Sequence, residues 1–203
     1  MQELIDSIIS TWQGITPVEF WAVITSIAYA WLASRNNIWC WLFGIASPIL
    51  TMYALYFYFN LYAEVILQFY YIGMAIYGFY TWKFGGIKHS EKSIEVWPVK
   101  KHILIIITGL LLSIILGYVL KNYTDAASTY VDSFTTVFAV FATYMTARRL
   151  LENWIYWIVI DTVSIFLYAG RGGYFFALLF VAYTIIAIYG FYHWRKQFNT
   201  VHV

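Results

Sequence analysis

The stretch that decides the fold runs from Ala75 to Trp82 and reads AIYGFYTW. It recurs from Ala187 to Trp194 as AIYGFYHW, with one mismatch in eight positions and an offset of 112 residues. A unit that is duplicated within an apolar chain predicts a transporter built from two similar halves, with a substrate site where they meet.

A second pair of matches lies upstream of this repeat. Asn37 and Trp41 are four positions apart, as are Asn153 and Trp157, at an offset of 116 residues. The difference between the two offsets predicts that the second copy has lost about four residues. We place this loss where residues 57–60 of the first copy correspond to residues 170–172 of the second. They also predict that Asn37 and Trp41 mirror Asn153 and Trp157 across a pseudo-axis.

The composition is that of a membrane protein. Hydrophobic residues make up 62% of the 203-residue chain, charged residues 11%, and the mean hydropathy is +0.68. Charged residues make up about a quarter of an ordinary soluble domain. The 19 Tyr and 10 Trp exceed what interfacial belts need, so some aromatic rings are expected to line the interior. The acidic residues near the N-terminus argue against a cleavable signal peptide.

Seven apolar segments approach the ~20 residues that a helix needs to cross a ~30 Å hydrocarbon layer. A membrane barrel is disfavoured because the segments do not alternate between polar and apolar residues. The segments are Pro17–Ala33, Ile38–Phe59, Leu61–Trp82, Ile103–Leu120, Tyr130–Ala147, Trp154–Ala169 and Tyr174–Trp194.

The basic residues orient these segments. With seven crossings, ten of the twelve Lys and Arg residues fall on one side and only Lys121 and Arg171 on the other. Basic residues accumulate in cytoplasmic loops, so the N-terminus is predicted outside and the C-terminus in the cytoplasm. The predicted location of the protein is the plasma membrane. The ten residues are Arg35, Lys83, Lys88, Lys92, Lys100, Lys101, Arg148, Arg149, Arg195 and Lys196.

The fourth segment has no partner in the repeat, which predicts an all-α membrane protein of seven helices in a 3+1+3 parallel repeat, as in SWEET-type carriers. Seven helices also describe retinal proteins, but the last segment lacks their lysine. The predicted parts are an extracytoplasmic N-terminus (1–16), a first three-helix bundle (17–82), a cytoplasmic loop (83–102), a linker helix (103–120), a second three-helix bundle (130–194) and a cytoplasmic tail (195–203).

The sixth segment carries a candidate binding stripe. Asn153, Trp157 and Asp161 are spaced four apart on one helical face, and Trp154 lies close to the same face. A carboxylate at the centre of a membrane helix costs ~2.5–3.5 kcal/mol, so Asp161 is expected to face a partner or a wet cavity. Two indoles beside a carboxylate are suited to a delocalised cation. The alternative is that the indoles anchor the helix at the membrane interface.

The third segment carries a second stripe of Glu64, Gln68 and Tyr71. Gln68 needs hydrogen-bond partners in an apolar helix, which a ribose hydroxyl or a carboxamide of the substrate offers, or else a neighbouring helix. Glu64 lies near the outer helix end, where it either contacts substrate or extends to the interface. Asn37 and Trp41, as the predicted mirror positions, complete the candidate substrate-binding set.

Several motifs resemble the PnuC family of nicotinamide riboside transporters. The run from Asn153 to Trp157 is similar to that family's N-W-x-x-W signature, and Asp161 follows it. The run from Thr143 to Glu152 and the one from Leu61 to Gln68, with the Y-G-x-Y-x-W end of the third segment, also resemble the family. The resemblance covers about residues 17 to 195.

The resemblance implies a SWEET-like fold, a homotrimer, and facilitated diffusion of a vitamin precursor that a cytoplasmic kinase then traps for NAD biosynthesis. The expected partners are nicotinamide riboside and membrane lipid, with no nucleic acid. In the expected site, Trp154 and Trp157 flank the pyridinium ring, while Asn153, Asp161, Gln68 and Asn37 satisfy its polar edges and the ribose. Thiamine or another cationic vitamin precursor is the alternative substrate, and proton coupling through Asp161 or Glu64 stays open.

The sequence carries no enzyme motif: it lacks H-E-x-x-H, G-x-S-x-G, a Walker A run and any Cys/His pattern with metal spacing. We therefore predict no catalytic residues, no metal and no cofactor. A receptor or scaffold is the remaining alternative to a transporter, but polar groups within both copies of the repeat favour a path through the molecule.

Overall fold

The structure is a computed structural model that describes residues 9–10, 12–59, 62–86, 91–123 and 129–201. Seven helices span the chain from residue 17 onward, and residues 9–10 and 12–14 are also helical. The helices are α1 (Pro17–Ser34), α2 (Cys40–Ala54, continued by a π-helical turn over Leu55–Phe59), α3 (Tyr62–Phe84), α4 (Val99–Tyr123), α5 (Thr129–Ala147), α6 (Asn153–Gly170) and α7 (Tyr174–Val201).

These helices lie over the seven predicted apolar segments, and two of them are longer than predicted. α4 begins at Val99 rather than Ile103, and α7 continues past Trp194 to Val201. α1 begins where the sequence predicts, because Thr16 and Glu19 form a capping box ahead of Pro17 at the first helical position.

The outer surface of the bundle is apolar. Leu104, Ile107 and Tyr118 of α4 are more than half exposed, as a helix surrounded by lipid requires. Within the described part of the chain, three helices are long and apolar enough to cross a membrane by length and composition alone: Cys40–Tyr58, Val99–Tyr123 and Tyr174–Thr200. The all-α membrane fold is therefore established, while seven crossings in a 3+1+3 repeat stay a prediction.

The helices pack as two groups of three, and the two groups contact each other. α2 packs against α1 and α3 in the first half, and α6 packs against α5 and α7 in the second. Two further contacts join the halves, α1 with α7 and α3 with α5, while α4 packs on α5. The site region therefore lies among six helices, with α4 to one side.

The two halves share backbone geometry at an offset of 113 residues. Asn36 and Arg149 both adopt positive φ angles, 58° and 60°, directly after α1 and α5. The residue after each closes the same hydrogen bond, from the Asn37 amide to the Leu32 carbonyl at 2.9 Å and from the Leu150 amide to the Met145 carbonyl at 3.0 Å. Asn36 thus corresponds to Arg149 in the fold.

This register corrects the sequence prediction. At an offset of 113, Trp41 corresponds to Trp154, and Asn37 corresponds to Leu150. The predicted pairing of Asn37 and Trp41 with Asn153 and Trp157 is therefore wrong by three positions. The predicted four-residue loss is wrong as well, since the offset falls only from 113 to 112 by the third helix of each half. The π turn after α2 accounts for this difference, because it holds one residue more than an α turn.

The repeated motif is explained by tryptophan packing. Gly78 on α3 leaves room for the Trp41 indole, and a Cβ there would overlap the ring. Gly190 on α7 does the same for Trp154, where a Cβ would lie 2.7 Å from ring atom Cε2. Each glycine is therefore required by a close approach between helices within its own half.

The tryptophans that end each motif join the two halves. The Trp82 indole donates to the Thr146 carbonyl at 3.0 Å, and the Trp194 indole donates to the Ala33 carbonyl at 3.0 Å. Each donor thus bonds the last turn of the first helix in the other half. The two rings also contact each other edge-on, with centroids 5.5 Å apart. Trp82 and Trp194 occupy equivalent positions of the repeated motif, at an offset of 112.

Candidate functional site

A pair of adjoining cavities lies where the two groups of three helices meet, each with a volume of about 200 Å³. The first cavity is bounded mainly by α1, α2 and α3 and includes Trp41, Gln68 and Tyr71. The second cavity is bounded mainly by α1, α6 and α7 and includes Trp154 and Asp161. Ser26, Tyr29 and Trp157 line both cavities, so the two meet at these side chains.

The second cavity holds a buried carboxylate beside two indoles. Asp161 is 4% exposed, and its carboxylate makes no hydrogen bond or ion pair with any residue of the described ranges. Trp157 and Trp154 line the same cavity from one and two turns earlier on α6, respectively. A carboxylate isolated in this way is costly to keep ionised unless a cation accompanies it. The second cavity therefore has the electrostatics of a cation site.

Trp157 is held in place by a chain of polar contacts from α5. Its indole donates to the Thr146 hydroxyl at 3.2 Å, and that hydroxyl donates to the Asn153 side-chain oxygen at 3.0 Å. The Asn153 amide in turn donates to the Leu150 carbonyl at 2.5 Å. Asn153 is fully buried and does not line either cavity. The structure thus places Asn153 behind Trp157, as a residue that positions the indole.

Trp41 and Trp154 each keep an unused hydrogen-bond donor. Both rings are buried, and neither indole N–H has a partner among the residues that the structure describes. Trp41 lines the first cavity and Trp154 the second. A buried donor without a partner costs free energy, and a polar ligand in either cavity is suited to accept from it.

The first cavity is lined by several polar side chains but by no carboxylate. Gln68 and Tyr71 both line it, and neither the Gln68 amide nor the Tyr71 hydroxyl bonds to a described residue. Thr143 lines the cavity as well, although its hydroxyl already donates to the Ala139 carbonyl at 2.7 Å. The first cavity therefore offers uncharged donors and acceptors.

Among the remaining predicted site residues, Asn37 lies away from both cavities. Asn37 is exposed at the start of the α1–α2 connection, where its side chain accepts from the Trp39 amide at 3.0 Å. The expectation that Asn37 contacts the substrate is therefore not supported by its position. The side chain of Glu64 lies outside the described residues.

Three residues of the site were missed by sequence reasoning. Ser26 and Tyr29 of α1 line both cavities, and Tyr183 of α7 lines the second. The Ser26 and Tyr183 hydroxyls lie 2.5 Å apart and join the two halves across the cavity. The available signal was the spacing of Ser26 and Tyr29, which puts two polar groups on one face of an apolar helix.

A wide vestibule adjoins both cavities at one end of the bundle. It has a volume of about 810 Å³ and is lined by the beginning of α1 and the ends of α2 and α6. Ser26 lines the vestibule and both cavities, and Ser47 lines the vestibule and the first cavity. The site thus has a route to this end of the molecule.

At the opposite end, which we call the Arg149 end, polar contacts join the two halves. The guanidinium of Arg149 donates to the Asn36 side chain at 2.8 Å and to the Lys92 carbonyl, and it lies over the Trp82 ring. Asn36 also donates to the Gln197 side chain at 2.6 Å. Burial lowers the pKa of Arg149 from its ordinary value, the Glu91 carboxylate opposing this. Both halves and the α3–α4 connection are tied together here.

Comparisons with known proteins agree with this architecture. The model of the nicotinamide mononucleotide transporter family matches residues 16–196. This chain belongs to that family. The resemblance to PnuC proteins is thereby confirmed, and the chain is a multi-pass membrane transporter rather than an enzyme.

Curated relatives carry the names of two vitamin transporters. The nicotinamide riboside transporter PnuC of Escherichia coli K12 is 25% identical over 203 aligned residues, which cover 87% of this chain and 84% of that protein. The PnuC of Neisseria mucosa is 26% identical, covering 86% and 70%. The riboflavin/roseoflavin transporter RibM of Streptomyces davaonensis is 24% identical, covering 80% and 77%.

The fold also matches a solved structure. The crystal structure of the vitamin B3 transporter PnuC aligns with a TM-score of 0.73 and 23% identity, covering 98% of this chain and 89% of that one. At this identity the match establishes the fold. Groups of three or more His, Cys, Asp or Glu residues that are suited to a metal do not occur in the described part of the chain.

Proposed function

We propose that this protein carries nicotinamide riboside into the cell by facilitated diffusion. The observation that carries the proposal is the buried, unpaired carboxylate of Asp161 in one cavity with Trp154 and Trp157. Nicotinamide riboside contains a pyridinium ring, which an indole face attracts by ~0.5–2 kcal/mol per contact. The names of the curated PnuC relatives support the same substrate.

The proposed mechanism is alternating access between the halves. Seven crossings in a 3+1+3 parallel repeat of the SWEET type put the two triplets in the same orientation, with α4 as the linker. The vestibule that adjoins both cavities at one end, and the polar contacts that join the halves at the Arg149 end, support this mechanism. Rocking the halves about the pseudo-axis then exposes the site to the other side. The resemblance adds a homotrimer and trapping by a kinase.

In the proposed orientation, the protein lies in the plasma membrane with the vestibule outside and the Arg149 end in the cytoplasm. Single cysteines introduced from Lys92 to Lys101 and near Asp125 test it by labelling with a membrane-impermeant thiol reagent. We expect labelling of intact cells near Asp125 only. Reaction of the Lys92–Lys101 region from outside contradicts the orientation.

Binding and transport measurements test the function. Purified protein is titrated with nicotinamide riboside and thiamine side by side, and uptake is then measured in proteoliposomes that contain a riboside kinase and ATP. We expect binding of nicotinamide riboside and uptake that is insensitive to imposed proton or sodium gradients. Accumulation without the kinase under a proton gradient contradicts the uniport mechanism and assigns Asp161 to proton coupling.

Thiamine or another cationic vitamin precursor is the second candidate. The observation in its favour is the same carboxylate and indole pair, since thiamine also contains an aromatic cation. Tighter binding of thiamine than of nicotinamide riboside in the parallel titrations favours this candidate.

A further inference from the structure

A third pocket lies at the Arg149 end, apart from the candidate substrate site. It has a volume of about 240 Å³, and its lining includes Asn36 after α1, residues 91–94 of the α3–α4 connection, Arg149 after α5 and Gln197 of α7. No residue of this lining takes part in either of the two central cavities. We call it the Arg149 pocket, and it draws its residues from both halves and from the connection between them.

The Arg149 guanidinium is buried but only partly bonded. It is 8% exposed, and one face lies over the Trp82 ring. Of the five N–H donors of a guanidinium, it uses two: one on Nε toward the Asn36 side chain at 2.8 Å, and one on Nη1 toward the Lys92 carbonyl. Three N–H donors therefore remain, and the Nη2 atom that carries two of them is accessible from the pocket.

This cation also lacks an ion-pair partner. No carboxylate of the described residues lies within 4 Å of the Arg149 guanidinium. A buried charge is costly to maintain unless it is paired and hydrogen-bonded. An anion with several acceptor oxygens supplies both, and a guanidinium binds phosphate oxygens through two parallel N–H groups.

Further donors line the same pocket. The Ser93 hydroxyl has no hydrogen-bond partner among the described residues. The Lys92 ammonium is buried and pairs with Glu95 at 2.5 Å, which leaves part of its donor capacity unused. Basic residues also outnumber acidic ones at this end of the bundle, by nine to three among the described residues, so the local field favours an anion.

One carboxylate opposes an anion in this pocket. Glu91 lies in the lining and is exposed to solvent. Burial lowers the pKa of Arg149, and the Glu91 carboxylate opposes that shift, although the two side chains do not form an ion pair. Glu91 therefore repels a bound anion without replacing it, which gives the site a prediction of definite sign.

We propose that the Arg149 pocket binds the phosphate group of a small cytoplasmic phosphate compound, and that the bound anion slows uptake by tying the two halves together at this end. The pocket is smaller than the ~300–1,000 Å³ of pockets for drug-sized ligands, which suits inorganic phosphate or a sugar phosphate. The effect on uptake rests on the proposed function, whereas the binding of phosphate does not.

The binding test uses purified full-length protein in phosphate-free buffer without nicotinamide riboside. Ribose 5-phosphate, inorganic phosphate and ribose are each titrated by calorimetry against the parent, Arg149→Gln and Glu91→Gln. Arg148→Gln is the matched control, because it removes the same charge from the neighbouring residue, whose guanidinium donates to the Tyr144 hydroxyl and does not line the pocket.

We expect both phosphate compounds to bind and ribose not to bind. Arg149→Gln is expected to weaken phosphate binding at least tenfold, because charge-assisted hydrogen bonds are lost, and Arg148→Gln is expected to stay within about twofold. Glu91→Gln is expected to strengthen binding about three- to tenfold, because a like charge is removed. This variant changes an exposed residue, so it tests the site even if Arg149→Gln does not fold.

The order of affinities identifies the source of the phosphate group. Tighter binding of ribose 5-phosphate supports the site with a phosphate ester as its ligand, and tighter binding of inorganic phosphate supports it with free phosphate. Absence of phosphate binding to the parent, equal losses in Arg149→Gln and Arg148→Gln, or no gain in Glu91→Gln overturns the site and leaves the proposed function standing.

The effect on uptake is measured in proteoliposomes that enclose ribose 5-phosphate or, as a control, ribose. We expect enclosed ribose 5-phosphate to slow uptake of labelled nicotinamide riboside at least twofold in the parent and in Arg148→Gln. We expect no such change in Arg149→Gln relative to its own uptake with ribose. Equal uptake by the parent under both conditions overturns the regulation. Absence of uptake by the parent with enclosed ribose overturns the proposed function, while the calorimetric result on the pocket still stands.

Discussion

The cavity of the first half has Gly44, Pro48 and Gln68 where the cavity of the second half has Trp157, Asp161 and Phe180. Around these positions the halves are alike: each has a buried tryptophan over a glycine, and each ends its third helix with a tryptophan that bonds the other half. The residues that hold the helices together are thus repeated, whereas those that face the cavities are repeated only in part, as for Trp41 with Trp154 and Tyr71 with Tyr183. A duplicated scaffold can in this way build an asymmetric site.

The aromatic ring at the meeting point comes from a different helix in each half. In the second half α6 supplies Trp157, and the corresponding position of Tyr29 is Ala142. In the first half α1 supplies Tyr29, whose ring lies 3.1 Å from where a Cβ of Gly44 would stand. A large side chain on one helix is thus matched by a small one on its neighbour in both halves.

The largest expected effect is on the charge of the second cavity. Asp161→Asn removes the buried carboxylate with little change in shape, so it is expected to weaken binding of nicotinamide riboside by about 2–4 kcal/mol. Titration calorimetry on purified protein measures this. The control is Asp132→Asn, because the Asp132 carboxylate pairs with Arg171 at 2.7 Å away from both cavities. Equal binding by the Asp161 variant and the parent contradicts the cation site.

A second prediction concerns the repeated glycines. Gly78→Ala and Gly190→Ala each force a Cβ into an indole, so each is expected to destabilise the protein by about 1–3 kcal/mol. Gly73→Ala on the same helix as Gly78 is the control, since a Cβ there meets no heavy atom within 4 Å. Thermal unfolding in detergent measures the difference. If the Gly73→Ala and Gly78→Ala variants unfold at the same temperature, close packing does not explain the repeat.

A third prediction addresses the indole that lines both cavities. Trp157→Ala is expected to weaken binding by roughly 1–3 kcal/mol without unfolding the protein, since it removes stacking area and a cation–π contact together. Trp157→Phe is expected to retain part of the affinity, because a smaller ring face remains. If both variants bind as the parent does, Trp157 anchors its helix and does not contact the ligand.

The smallest expected effect concerns the two indole hydrogen bonds between the halves. The test is whether both contribute equally to stability. Trp82→Phe and Trp194→Phe each remove one indole donor to a carbonyl of the other half, so each is expected to cost about 1 kcal/mol of stability. Trp39→Phe serves as the exposed control. Thermal unfolding of all three variants shows whether the repeat-equivalent bonds matter equally, and a large loss for only one of the pair contradicts their equivalence.

The sequence predicted the all-α membrane fold because apolar segments and the AIYGFY repeat reflect packing directly. It also predicted the stripe of Trp154, Trp157 and Asp161, because a carboxylate in an apolar helix has few acceptable positions. The predicted register of the repeat was wrong because it was derived from identical residues, by pairing Asn37 with Asn153 and Trp41 with Trp157. In the fold, Asn153 corresponds to Cys40 and Trp157 to Gly44, pairs that share position and not chemistry.

The spacing of Ser26 and Tyr29 indicates a polar face on α1, but it does not indicate what that face contacts. Ser26 and Tyr29 enter the site only because α1 packs against α7 of the other half. That contact depends on how two triplets fit together, which the periodicity within a single helix does not determine. Asn153 was placed in contact with substrate for a related reason, because helical spacing cannot separate a cavity-lining side chain from one that packs behind it.

The most direct test of the account is competition for uptake between a cation and its neutral counterpart. Proteoliposomes containing the protein take up labelled nicotinamide riboside in the presence of 1-methylnicotinamide or of nicotinamide, which share a ring and differ in charge. We expect saturable uptake that 1-methylnicotinamide inhibits at concentrations at least tenfold lower than nicotinamide does, because the Asp161 cavity selects for charge. Uptake no greater than that of empty liposomes, or equal inhibition by the two compounds, contradicts the account.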